Sequence, residues 1–229
     1  MSVAEPPAPP KVAVVIATSN RFAMLSERSI PSVLAQTRFP DLVIVVDDSI
    51  ASVRPVNAKF VAALSLPGCE FLYLENARTA GASGAWNTAF DFLVAKSEDV
   101  VSVFVAILDD DDSWSPDYLA TCYSAAVAQQ LDMVACGLRR IESNADAPQI
   151  GEAPDVLRAQ DFLASNPGIR ARTCLCACPS CSPLAGSMRT CAAPPTETSA
   201  SASRNWAPSG TGKFLMRWSI TTPMRNDNG

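Results

Sequence analysis

The chain of 229 residues contains no histidine. That absence excludes a Ser–His or Cys–His catalytic pair, a zinc site with imidazole ligands, and histidine general-base chemistry. Basic residues are also sparse. Eighteen Lys and Arg face 23 Asp and Glu, for a formal net charge of −5. A nucleic-acid binder normally presents a basic face, so none is expected as a partner. No apolar run approaches the eighteen or more residues needed to span a bilayer. Met1–Pro10 is rich in Pro and Ala and carries no Lys or Arg, so it lacks the charged start of a signal peptide. It reads as a disordered leader on a soluble, cytoplasmic protein.

What is present is an alternation of strand-like and helix-like segments from Lys11 to about Gly168. Val12–Ala17, Leu42–Val46, Phe71–Leu74, Val101–Leu108 and Met133–Leu138 are short apolar runs that predict strands. Helices are expected over Ser26–Gln36, where Pro31 must begin or kink the helix, over Phe60–Leu66, from Gly81–Gly84 onward through Leu93, and over Pro116–Gln130. Strands apolar throughout belong to a mostly parallel sheet covered by helices on both faces. After Ile169 this texture gives way to Ser, Thr, Pro, Arg and five of the eight cysteines. No fold is legible there.

Four consecutive aspartates, Asp109–Asp112, follow the strand Val101–Leu108 directly. Open α/β sheets place ligands at the C-terminal ends of their strands. Carboxylates crowded there repel one another, and a bound cation relieves the cost. Hard oxygen ligands suit Mg²⁺ or Mn²⁺ beside a substrate's phosphates. The alternative is a solvated acidic turn, with Ser115 as N-cap and Pro116 opening the next helix. Two further strands end in polar groups, the first in Thr18–Ser19–Asn20–Arg21 and the second in Asp47–Asp48–Ser49. Each loop alone is an ordinary turn composition. Together they suit a ribose, a base and a metal-bound pyrophosphate.

The segments VAVVIATSNR, VLAQT, VIVVDDS, NARTAGASGAWNTAF and ILDDDDSWSPDYL, in this order, resemble the family 2 glycosyltransferases of the GT-A fold. The resemblance covers roughly Val12–Gly168. It implies inverting transfer of a sugar from a nucleotide-diphosphate donor, most simply a UDP-sugar, to an unknown acceptor, with Mg²⁺ or Mn²⁺. By that match Asp109–Asp110–Asp111 is the DXD motif. Asp109 faces the ribose, Asp111 holds the metal with Asp109 as a second ligand, and Asp110 belongs to the donor site. Asp47 and Asp48 match the acidic pair that contacts base and ribose. Thr18, Asn20 and Arg21 match the first nucleotide-side loop, and Arg78 and Gly81 a loop over the donor. Asn87 carries over, whereas Trp86 stands where the family commonly has arginine.

The acceptor hydroxyl needs a general base, normally a carboxylate. In the family it lies beyond the position of Gly168, and no catalytic residue is assigned here. Arg170–Gly229 contains only Glu197 and Asp227 as carboxylates. The expected organisation is therefore a leader (1–10), a GT-A-like domain (11–168) and an aberrant tail (169–229), expected to be disordered. The tail reads as the product of a shifted frame. Ala171–Pro179 can be encoded by bases that otherwise read GSNLFVRLS, Ala185–Arg189 by bases that read GGFDE, and Thr196–Ala202 permits a string ending DRDLCIR. A thiolate zinc cluster at Cys174, Cys176, Cys178 and Cys181 lacks a paired framework. Pro208–Lys213 fails as a phosphate loop at both ends. Cys69, Cys122 and Cys136 read as buried small residues. Two other functions stay open: a non-catalytic nucleotide-sugar-binding module, and a nucleotidyltransferase-like α/β protein.

Overall fold

The computed structural model describes residues 9–96, 103–131, 133–141, 149–151, 174–177 and 214–223. Residues 1–8 of the leader expected over 1–10 and most of the tail expected over 169–229 lie outside them.

Three apolar runs become the parallel centre of a sheet: β1 (Lys11–Thr18), β2 (Leu42–Asp47) and β4 (Val103–Asp109). β3 (Glu70–Glu75) adds a parallel edge beside β2. Because successive side chains point to opposite faces, each run feeds two separate cores. Val12, Val14 and Ile16 face one side with Val43, Val45, Phe104, Ala106 and Leu108. Ala13, Val15 and Ala17 face the other with Ile44, Val46, Val105 and Ile107. The second face is covered by α4 (Ala82–Lys96) through Ala85, Trp86, Ala89 and Leu93. The first is covered by a π-helical turn (Leu25–Ser29), α2 (Ile30–Leu34), α3 (Arg54–Ala62) and α5 (Tyr118–Gln129), with the short α1 (Phe22–Met24) leading into the π-helical turn. A mostly parallel α/β sheet with helices on both faces is thus present, as the sequence implies.

Local chemistry sets the boundaries. Pro31 has no N–H for the Glu27 carbonyl, and the turn before it widens so that the Ile30 N–H reaches back to the Leu25 carbonyl. Helix thus extends back to Phe22, earlier than the expected start at Ser26. Pro55 fits the first turn of α3, and the helix expected over Phe60–Leu66 begins six residues sooner, at Arg54. It stops before the Leu66–Cys69 bridge, which closes around Gly68 at φ +73°. After the aspartates a two-residue strand, β5 (Ser113–Trp114), precedes α5. The N-cap of α5 is Asp117, not Ser115; the Ser115 carbonyl instead accepts the Tyr118 N–H at 3.0 Å.

The far side of the sheet departs from the parallel pattern. β6 (Met133–Ile141) and the short β7 (Gln149–Gly151) pair antiparallel. β8 (Cys174–Ala177) lies antiparallel between β4 and β6, with Leu175 fully buried. β9 (Phe214–Pro223) runs parallel to β6. Two segments of the tail therefore form strands. CLCA is four residues long and too short to show a period, which is why it was illegible.

The central strand carries the most apolar burial, and this gives a test. Ile16→Ala should cost about 2–5 kcal/mol in chemical denaturation, whereas Val127→Ala, on the exposed side of α5, should stay within about 0.5 kcal/mol.

Candidate functional site

Parallel register brings the ends of β1, β2 and β4 to one edge. Thr18 pairs with Asp47, and Ala17 with Asp109. The loop after β1 is stitched to the loop after β2. Asn20, in the left-handed region at φ 56°, donates its N–H to Ser49 Oγ at 2.7 Å and accepts the Ile50 N–H on Oδ1 at 3.1 Å. Ser19 Oγ donates to the Asp48 carbonyl at 3.2 Å. Asparagine tolerates this backbone conformation where most residues are strained.

The aspartate run divides in two. Asp112 N–H donates to the Asp109 carbonyl at 3.1 Å, so the run is a tight turn. On one side, Asp110 is fully buried and accepts Thr18 Oγ1 at 2.8 Å and Arg21 Nε at 3.2 Å, with Arg21 Nη2 ion-paired to its other oxygen. Burial pushes the Asp110 carboxyl up to about 6, against the pull of the Thr18 bond and the Arg21 charge. Arg21 Nη1 also pairs with Asp111 at 2.9 Å, and Arg28 donates to the Asp111 carbonyl at 3.0 Å. On the other side, Asp109, Asp111 and Asp112 each bring a carboxylate oxygen within 4.8 Å of the others. Three hard oxygen donors converging at a strand end fit a divalent cation such as Mg²⁺ or Mn²⁺. Asp112 was not among the residues assigned to the metal from the sequence.

The second acidic pair also divides. Asp47 is fully buried. Its Oδ1 accepts the Ser49 N–H at 2.8 Å, and Oδ2 accepts Asn57 Nδ2 at 2.7 Å and the Tyr73 hydroxyl at 2.9 Å. Burial, then the bond to Asp47, raises the Tyr73 phenol above its ordinary range. Asp48 is half-buried and accepts Asn76 Nδ2 at 2.8 Å and the Gly81 N–H at 2.6 Å. Gly81 takes φ +109°, which only glycine adopts readily. Arg78 lies on the same loop as Gly81 and forks onto Asp91 at 2.6 and 2.7 Å. Asn87 is half-buried in the second turn of α4.

Several residues that build this edge escaped the sequence reading. Asn57 and Tyr73 satisfy Asp47 without any local signal, beside Ser49, which the Asp47–Asp48–Ser49 strand end already marks. Gln36 is 2% exposed and pins the exit from the aspartate turn. Its Nε2 donates to the Ser32 and Ser115 carbonyls at 3.0 and 2.7 Å, and its Oε1 accepts the Leu119 N–H at 2.9 Å. A buried amide with three partners was not readable from the VLAQT segment that contains it.

The sequence profile of Glycosyl transferase family 2 matches residues 13–184. The match runs past Gly168 and takes in β8. The succinoglycan biosynthesis protein ExoW of Rhizobium meliloti (strain 1021) is 35% identical over 115 residues, which is 50% of this chain and 34% of that protein. The chain thus spans about a third of that relative's length. Among solved structures, TarS 1–349 of S. aureus in complex with UDP-GlcNAc is 21% identical, with a TM-score of 0.45 over 61% of this chain and 37% of that one. The mannosyltransferase PcManGT of Pyrobaculum calidifontis, in complex with GDP-Man and Mn²⁺, is 23% identical, with a TM-score of 0.43 over 57% and 38%. No helix among the described residues is long and apolar enough to cross a membrane.

The donors around Asp47 are testable directly. Tyr73→Phe removes one hydrogen bond to a buried carboxylate and should cost about 1.5–3 kcal/mol in urea unfolding.

Proposed function

The chain belongs to glycosyl transferase family 2, and we propose that its strand-end site binds a nucleotide-diphosphate sugar with a divalent cation and transfers the sugar, with inversion, to an acceptor hydroxyl. The observation that supports this most is the division of the aspartate run. Asp109, Asp111 and Asp112 converge within 4.8 Å, while Asp110 turns away to Thr18 and Arg21. The three converging carboxylates are the residues that would hold Mg²⁺ or Mn²⁺. When bound, such an ion neutralises charge that develops on a departing diphosphate.

The chain's own groups take distinct parts. Asp110, Thr18 and Arg21 fix the aspartate turn against the end of β1, and Asn20 ties the loop after β1 to the loop after β2. Asp47 is enclosed by scaffold donors, so its part is to hold the loop that presents Asp48. Asp48 is the member of the pair left near the surface, and we assign it the base and ribose side of a UDP-sugar. Asp109 faces the ribose as well as the cation. Arg78, Gly81 and Asn87 border the donor from the α4 side, where a guanidinium suits a diphosphate.

No general base is assigned. The segment 170–229 holds only two carboxylates, Glu197 and Asp227. This favours a second reading, in which the chain binds the donor without transferring its sugar. The shifted-frame expectation bears on the same point, and sequencing the gene across the Ile169 codon tests it: an added nucleotide there restores a reading with further acidic residues. We also propose that the glycosyltransferase domain extends at least through β8, since that strand sits between β4 and β6.

Calorimetric titration of UDP with and without Mn²⁺ tests the donor reading. Binding should be Mn²⁺-dependent, and Asp111→Asn should weaken the Mn²⁺-dependent part at least about tenfold, about 1.4 kcal/mol. A folded sample that binds no nucleotide at millimolar concentration would overturn it. Release of pyrophosphate from a nucleoside triphosphate would point to nucleotidyl transfer instead.

A further inference from the structure

The loop from Asn76 to Gly81 connects β3 to α4, and α4 supplies it with a built seat. Gly84, Thr88 and Asp91 lie at i, i+4 and i+7, on one face of the helix. At Gly84 the loop and helix backbones touch: a Cβ there would stand 1.7 Å from the Thr79 carbonyl oxygen. Thr88 Oγ1 accepts the Ala77 N–H at 3.1 Å and lies within hydrogen-bond reach of the Asn76 side chain at 3.1 Å and of the Gly84 carbonyl at 3.0 Å. Asp91 takes the Arg78 guanidinium in a two-point fork. The loop's two ends meanwhile grip Asp48, Asn76 on one oxygen and Gly81 on the other. One short loop therefore carries both the clamp on an acidic group of the strand-end edge and a cation drawn along the helix.

The direction of that draw matters. Helix α4 starts at the strand-end edge, beside Gly81 and Asp48, and ends with Lys96 paired at 3.4 Å to Glu70, the first residue of β3. Asp91 lies nine residues beyond Ala82, about 14 Å along the axis at 1.5 Å per residue. In this position the Arg78 charge is engaged by Asp91 on α4. The pair is also exchangeable, because both side chains are about half exposed. A planar fork that fits a carboxylate fits a phosphate equally well.

We infer that Asp91 is a positioning residue for donor binding: it parks the Arg78 guanidinium on α4, and a donor diphosphate must displace it to recruit that charge. The inference rests on the donor reading above and adds a residue that the reading does not contain. Gly84 and Thr88 keep the loop seated throughout, so that only the side chain of Arg78 changes partner.

The test is a double-mutant cycle on the full chain, read by calorimetric titration of UDP and of GDP in Mn²⁺ buffer. Asp91→Asn should tighten binding about two- to fivefold, the range open to an exposed ion pair. Arg78→Ala should weaken it, and Asp91→Asn should then have no effect in the Arg78→Ala background. The tightening should shrink at 0.5 M salt, as screening predicts, while the melting temperature stays unchanged. A purely structural part for Asp91 would move the melting temperature and not the salt dependence. An Asp91→Asn variant with unchanged or weaker binding, or with the same change in both backgrounds, overturns the inference while leaving the donor reading intact. A wild-type chain that binds neither nucleotide overturns both.

Discussion

Two of the three aspartates fully removed from water, Asp47 at the end of β2 and Asp110 after β4, organise the edge of the sheet around themselves. A buried charge without partners costs several kcal/mol, so each must collect donors from whatever elements can reach it. Asp47 draws on its own turn, on α3 through Asn57 and on β3 through Tyr73. Asp110 draws on β1 through Thr18 and on the start of α1 through Arg21. The four parallel strands are thereby tied together at the end where their loops must be held in place. Electrostatic compensation and site construction are the same set of contacts.

Two of the ion pairs of arginine with aspartate differ in kind. Arg21 and Asp110 meet where the carboxylate has no exposure at all, and breaking them would leave a charge stranded. Arg78 and Asp91 meet in solvent, where either partner can be exchanged for water or for another ion. The molecule thus combines a fixed cation at the aspartate turn with a movable one on the facing loop. Such a division suits a site that must keep its shape while a charged ligand enters and leaves.

Much of this was legible in the residues. The runs VAVVIA, LVIVV and FVAIL announce buried parallel strands because no position in them is polar, and the acidic and polar residues that follow mark the ligand edge. The direction of individual side chains was not legible. Four identical aspartates carry no information about which faces where, and only the Asp112 N–H to Asp109 carbonyl turn decides that 109, 111 and 112 gather while 110 departs. Asp47 and Asp48 looked equivalent because the partners that enclose Asp47 lie 10 and 26 residues away. Gln36 gave no sign of itself, since a glutamine is ordinarily at the surface. Strand β8 is short, and its place between β4 and β6 is a long-range pairing that local pattern cannot reveal.

The π-helical turn ahead of Pro31 also governs what insertions and deletions the chain can accept. That turn holds one residue more than an α-helix would need to cover the same path. Loss of one residue from Leu25–Ser29 would therefore restore ordinary spacing and leave the residues before it on nearly the same path relative to α2. Arg21, which lies just ahead of that segment, would keep its reach to the aspartate turn, whereas the same loss inside regular helix would rotate it by about 100°. A one-residue length change confined to this turn would therefore spare the polar edge, and homologous chains should be aligned through this stretch by the residue that reaches Asp110 rather than by the helix that follows.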